Sequence, residues 1–164
     1  MNPNEFSRHL RRMNDEVRRA VNSDIPKKVA AKAVSLFKRN FQDEGFFGRK
    51  WKDVQRRQTH TVSYKTKSGV KTRTVPPAKG ADGQRRILTG RTGDLGRSIR
   101  WKTEPGRAVI YSDLPYAAAH NDGTTSAGRR HNVRLAKRQF IGDHATLTRA
   151  VKDIINRHLR NIIK

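Results

Sequence analysis

The chain has no cysteine among its 164 residues, so structural disulfides, thiolate-ligated zinc, iron–sulfur clusters and thiol catalysis are all excluded. Aromatic residues are sparse at 7%, and hydrophobic residues reach only 34%. That composition predicts a modest core with long solvated extensions rather than a deep catalytic globule. No apolar run approaches the roughly 20 residues a membrane span needs. The first twenty residues carry charge throughout and lack the apolar stretch of a signal peptide. The expectation is a soluble protein made in the cytoplasm, with no membrane partner.

Acidic residues are also scarce, with 14 carboxylates facing 37 lysines and arginines for a net charge of +23. A surplus of this size surrounds the molecule with a positive field and favours polyanions through counterion release. It leaves open whether the surface meets acidic protein neighbours or makes non-specific contact with DNA.

The familiar chemical motifs are missing. There is no G-x-x-x-x-G-K-[ST] phosphate loop, no G-x-G-x-x-G and no H-E-x-x-H. His120 and Asp122 are two residues apart and suggest only a local turn contact. His131 adjoins Arg130, where a cation would be repelled. His144 and His158 are too far apart along one helix to chelate an ion. Asp15 with Glu16, and Asp43 with Glu44, are sequence neighbours that face different directions on a helix. Nothing here specifies an enzyme, a cofactor or a metal.

What is present is helical and strand periodicity. Phe6, Leu10, Met13, Val17 and Val21 form one apolar stripe over 4–21, with Arg8, Arg11, Arg12, Arg18 and Arg19 on the other faces. Asn22, Ser23 and Asp24 interrupt it, and Asp24 is placed to cap a second helix that runs to Gly45. An aromatic loop, Phe46 to Trp51, folds back onto the helices. Residues 59–65 and 70–75 predict a basic hairpin about Lys67, Ser68 and Gly69. Two prolines stop it, and 78–84 reads as a flexible loop.

Thr92 or Asp94 starts a short helix, succeeded by strands over 99–103 and 108–112. Tyr116 to His120 is helical and ends at Gly123, and 124–134 is a polar, basic loop. Asp143 caps a final helix whose stripe is Leu147, Val151, Ile154, Ile155, Leu159 and Ile162. The class is α+β: a small antiparallel sheet packed with a long N-terminal helical region and a C-terminal helix.

Two readings compete for the glycine-rich stretch from Ile87 to Ile99. Gly90-Arg-Thr-Gly93 has the spacing of the G-x-x-G loop by which KH domains clamp a nucleic-acid backbone, with Arg91 and Arg97 supplying charge. Asp94 stands beside that supposed phosphate path. Thr92-Gly93-Asp94-Leu95 also suits a tight turn leading into a capped helix.

Together with two blocks on its C-terminal side, this stretch resembles the phage virion morphogenesis family of tail completion and head–tail joining proteins. The first block is Ile87, Leu88, Thr89, Thr92, Gly93, Leu95, Ser98 and Ile99. The second is Tyr116, Ala117, His120 and Gly123, and the third is Arg138, Phe140, Ile141 and Gly142. The segment from Phe37 through Gly45 to Trp51 is similar to the family's opening helix. Gln139 departs from the family pattern, standing where many relatives have proline.

The resemblance spans about 29–56 and 86–163, which sets the basic hairpin apart as an insertion near 58–85. It divides the chain into a basic helical arm, 1–24, and one α+β domain, 25–164. It implies a non-enzymatic structural protein of the virion, at the tail or neck, assembled in the host cytoplasm. Such a protein acts through a ring-forming homo-oligomer and contacts with neighbouring tail or connector proteins. Scaffold roles fall to the three blocks. Arg129, Arg130 and Arg134 become the expected interaction surface, facing either an acidic neighbour or DNA.

Overall fold

The structure, a computed structural model, describes residues 2–129 and 133–163. Helix α1 (Pro3–Arg19) starts with a capping box: Asn2 Oδ1 accepts from the Glu5 amide at 2.8 Å, and the Glu5 carboxylate accepts from the Asn2 amide at 3.0 Å. Asn22, Ser23 and Asp24 do not end the helix. Ala20–Asp24 forms a π-turn in which Ile25 N–H bonds Ala20 O, and the chain continues directly into α2 (Ile25–Asp43). Asp24 is itself helical and makes no side-chain cap, contrary to expectation. Pro26 supplies a physical reason, because it has no N–H to donate and its ring crowds the preceding turn. A widened turn accommodates both without breaking the rod.

Helix α2 is the centre of the fold. Ala33, Phe37 and Phe41 point into a core completed by Trp51, Ile87, Leu95, Ile99, Ala117 and Phe140. Glu44 adopts the left-handed conformation that closes α2, and its N–H returns to Asn40 O. Strands β1 (Gly45–Phe46) and β2 (Arg49–Lys50) then make a tight hairpin through Phe47 and Gly48, both at positive φ. This turn lays Phe46 and Phe47 against the core and delivers Trp51 into it, edge-on to Phe41 at 5.7 Å.

Strands β3 (His60–Thr66) and β4 (Gly69–Val75) form the expected basic hairpin, with Gly69 in the second strand opposite Thr66 and a turn of Lys67 and Ser68 alone. Residues 80–84, expected as a loop, coil into a short helix, α3 (Gly80–Gln84). Helix α4 (Asp94–Arg97) precedes the hairpin of β5 (Ile99–Glu104) and β6 (Arg107–Ser112), which packs on α2. Helix α5 (Ala117–Asp122) ends at Gly123 as expected.

Residues 124–134 are not a plain loop. β7 (Thr124–Ala127) and β8 (Val133–Leu135) pair as an irregular hairpin. Helix α6 (Ala145–Ile162) is capped by His144 and not by Asp143: His144 Nδ1 accepts from the Thr146 amide at 3.1 Å. The His144 ring also stacks flat on Phe47 at 4.4 Å, which fixes the cap against the core. Lys28 Nζ donates to His158 Nδ1 at 2.8 Å and ties α6 to α2.

The α+β class is as expected, with a long N-terminal helix and a C-terminal helix. Among the described residues, the strands are divided among four separate two-stranded antiparallel sheets in place of one small sheet.

Candidate interaction surfaces

The three sequence blocks come together around α2. Leu95, Ser98, Ile99, Ala117 and Phe140 are all buried. Ser98 Oγ donates to Leu95 O at 2.8 Å and shares a 2.6 Å hydrogen bond with Ser112 Oγ, joining α4 to the end of β6. Gly93 is the N-cap of α4 at φ 73°, a left-handed position that favours glycine, and its N–H bonds Thr89 O at 2.6 Å. Thr92 Oγ1 bonds the Asp94 carboxylate, which in turn pairs with Arg97 at 2.9 Å. Gly96 faces the ring of Phe41. The stretch is therefore a turn packed onto α2, and Gly96 is turned toward the core.

Leu88, Thr92, Leu95, Tyr116, His120 and Arg138, drawn from all three blocks, line one cleft of about 290 Å³. Tyr116 stands edge-on to His120 at 6.0 Å and is 44% exposed. His120 is half-buried, and its Nδ1 has no hydrogen-bond partner among the described residues. Burial, and secondarily the Arg138 guanidinium, hold its pKa below the ordinary 6.5 and favour the neutral ring.

Arg138 is a strut. Its guanidinium donates to Lys52 O at 3.0 Å and Asp53 O at 3.3 Å, while its amide bonds His120 O at 2.9 Å. Gly123 sits at φ 77° where the chain passes close to Lys137: a Cβ there would lie 2.8 Å from the Lys137 nitrogen.

The anchoring of Phe140 depends on residues that sequence reasoning missed. Residues 139–141 belong to no helix or strand, yet four of their backbone groups find side-chain partners. Trp51 Nε1 donates to Gln139 O at 2.8 Å, and Asn40 Nδ2 donates to Phe140 O at 3.1 Å. Asn121 Oδ1 accepts from both Phe140 N and Ile141 N, at 2.9 and 3.0 Å. Asn40 is itself buried, and its Oδ1 accepts from Phe47 N at 3.1 Å. Three side chains, from α2, α5 and the segment after β2, thus do for this segment what a neighbouring strand does elsewhere. The Gln139 amide donates to nothing among the described residues, so a proline at this position would sacrifice no hydrogen bond.

The expected basic surface is divided. Arg129 and Arg134 are exposed on the β7–β8 hairpin, and Arg134 borders an open groove with Lys52, Lys137 and Arg138. Arg130 and His131 lie outside the described residues.

A second surface is apolar. Helix α1 buries none of its residues, and Phe6 and Leu10 are 52% and 46% exposed along its stripe. Helix α6 likewise buries none, although Leu147, Val151, Ile154, Ile155, Leu159 and Ile162 are half-covered. The apolar faces of these two amphipathic helices are thus only partly covered, most openly at Phe6 and Leu10.

Among the described residues, no group of three His, Asp or Glu side chains is placed to hold a metal ion. Nor is any helix there long and apolar enough to cross a membrane. No curated protein and no solved structure gives a significant match. A model of the phage virion morphogenesis family matches residues 4–160, nearly the whole chain that the three converging blocks and their supporting helices occupy, and the protein belongs to that family.

Proposed function

We propose that the protein completes the tail or joins tail to head during assembly, acting through contacts between several copies and with neighbouring tail or connector proteins. The observation that carries this reading is the exposure of Phe6 and Leu10 at the open end of the apolar stripe of α1, whose Met13 and Val17 are half-buried. A heterologous ring needs two different complementary patches on each subunit. A helix reaching out from the core with Phe6 and Leu10 exposed supplies one, and the half-covered face of α6 offers another.

The blocks around α2 are the scaffold in this reading, and no catalytic step is involved. Copies that each carry +23 repel one another, so the ring also needs acidic neighbours. Arg129, Arg130 and Arg134 are the proposed contacts for those neighbours.

The test is the double substitution Phe6→Glu and Leu10→Glu introduced into the phage. The purified variant should keep the wild-type circular dichroism spectrum and lose the oligomer by light scattering, and the lysate should accumulate unjoined heads and tails. Reversing the charge of Arg129, Arg130 and Arg134 should also block assembly while leaving the monomer folded. Normal phage yield from the α1 variant rejects the oligomeric mechanism.

A further inference from the structure

The β3–β4 ribbon is set apart from everything else in the molecule. Apart from the half-buried His60, Thr66 and Val75, every residue of its two strands is exposed, and each strand packs substantially only on the other. A ribbon of this kind contributes nothing to the core, so its sequence is free to serve contact. No carboxylate occurs between Asp53 and Asp82, whereas Lys65, Lys67, Lys71 and Arg73 all lie on the ribbon or its turn. None of these four cations forms an ion pair among the described residues.

The register sorts the two faces. Tyr64 lies opposite Lys71 and Val62 opposite Arg73, which gives one face cations beside a small apolar and aromatic surface. The other face presents hydroxyls, with Thr61 opposite Thr74 and Ser63 opposite Thr72, and also carries Lys65 opposite Val70. The turn itself is Lys67 and Ser68.

The base of the ribbon is clamped. Arg57 donates to both oxygens of Glu44 at 2.7 and 3.1 Å, and the Ile87 amide donates to Glu44 Oε1 at 2.6 Å. Arg56 donates to the carbonyls of Asp82, Arg85 and Arg86, and Ala78 N bonds Arg56 O at 2.7 Å where the chain returns. The arm is therefore held to the core at its root and presented outward.

We propose that this ribbon is a binding arm for double-stranded DNA, engaging phosphates through its four cations and its hydroxyls without reading sequence. Strands of seven residues extend roughly 20 Å, and a two-stranded ribbon fits a major groove about 12 Å wide. Lysine, arginine, serine and threonine are the residues that position proteins on phosphates. A second copy of this chain is disfavoured as the occupant, because the ribbon would approach a body that also carries a large positive charge. Insertion into a bilayer is disfavoured by the Lys67-Ser68 tip.

The test is fluorescence anisotropy with the full chain and a labelled duplex of about 25 base pairs, titrated at several salt concentrations. Four lost phosphate contacts lower the slope of log affinity against log salt by about 3.6. The variant K65A/K67A/K71A/R73A should show that drop, and its affinity at low salt should fall by more than about tenfold. A control variant, R8A/R11A/R12A/R19A, removes equal charge from α1 and should leave the slope nearly unchanged. Circular dichroism checks that both remain folded. An unaltered slope in the ribbon variant overturns the proposal and points the ribbon to an acidic protein partner. An equal fall in both variants also overturns it, because binding would then follow net charge alone.

Discussion

Replacing Asn40 by alanine tests whether side chains really substitute for a strand at the 139–141 segment. The substitution removes two hydrogen bonds at once, from Asn40 Nδ2 to Phe140 O and from Phe47 N to Asn40 Oδ1. Phe140 is buried, so its carbonyl has no route to water, while Phe47 is only partly buried and its amide is partly compensated. An orphaned buried polar group costs about 1–3 kcal/mol, so the total loss should be about 2–4 kcal/mol. In a chain of this size that lowers Tm by about 6–12 °C.

Urea unfolding followed through tryptophan fluorescence is the assay, since Trp51 is buried beside the same segment. Protein concentration must be held fixed, because assembly would itself shift apparent stability. Asn121→Ala removes two bonds to the same segment and should cost a similar amount. The double variant should lose less than the sum, since both side chains hold Phe140. A loss below about 1 kcal/mol for Asn40→Ala would show that the backbone groups find other partners, and the reasoning about this segment would be wrong.

The root of the ribbon, a turn and a buried ring can be probed in the same way. Glu44→Gln should destabilise by about 1–2 kcal/mol in the same assay, through loss of the charge-assisted bonds from Arg57 and Ile87. Hydrogen bonding to Arg57 holds the Glu44 carboxyl below its ordinary 4.5, so its stabilisation is complete above that value and lost as pH falls through the folded-state pKa. Glu44→Gln should flatten the acid limb of the stability curve accordingly. Gly123→Ala should cost more than about 1 kcal/mol by thermal melting, because the new methyl meets the Lys137 backbone at a positive φ. His120 has a folded-state pKa below the ordinary 6.5, so the unfolded chain binds the extra proton first and stability falls as pH drops below 6.5. His120→Gln should remove that fall, and an unchanged curve between pH 6.5 and 5 would contradict the assignment of a neutral buried ring.

Much of the secondary structure was legible because it rests on local periodicity. The stripe Leu147 to Ile162 marked α6, and Thr- and Val-rich stretches flanking Lys67-Ser68-Gly69 marked the two strands of the β3–β4 ribbon. The order of the three blocks carried the family assignment. Features decided at a distance were not legible.

Nothing in the spacing of Asn40, Asn121 and Trp51 announces that they meet at Phe140, because the contacts join positions up to a hundred residues apart. The helix through Asn22, Ser23 and Asp24 survived weak local propensity by adopting a π-turn. His144 displaced Asp143 as the cap because Phe47 holds its ring in place, a tertiary contact overriding a local preference. The cleft among Leu88, His120 and Arg138 was likewise invisible, although all three residues were singled out as family positions.

The proposed role is structural, in completing the tail or joining it to the head. Electron microscopy of a lysate from a phage with a nonsense codon in this gene tests it most directly. The account predicts DNA-filled heads beside separate tails, or tails of irregular length. Intact, infectious particles would contradict it.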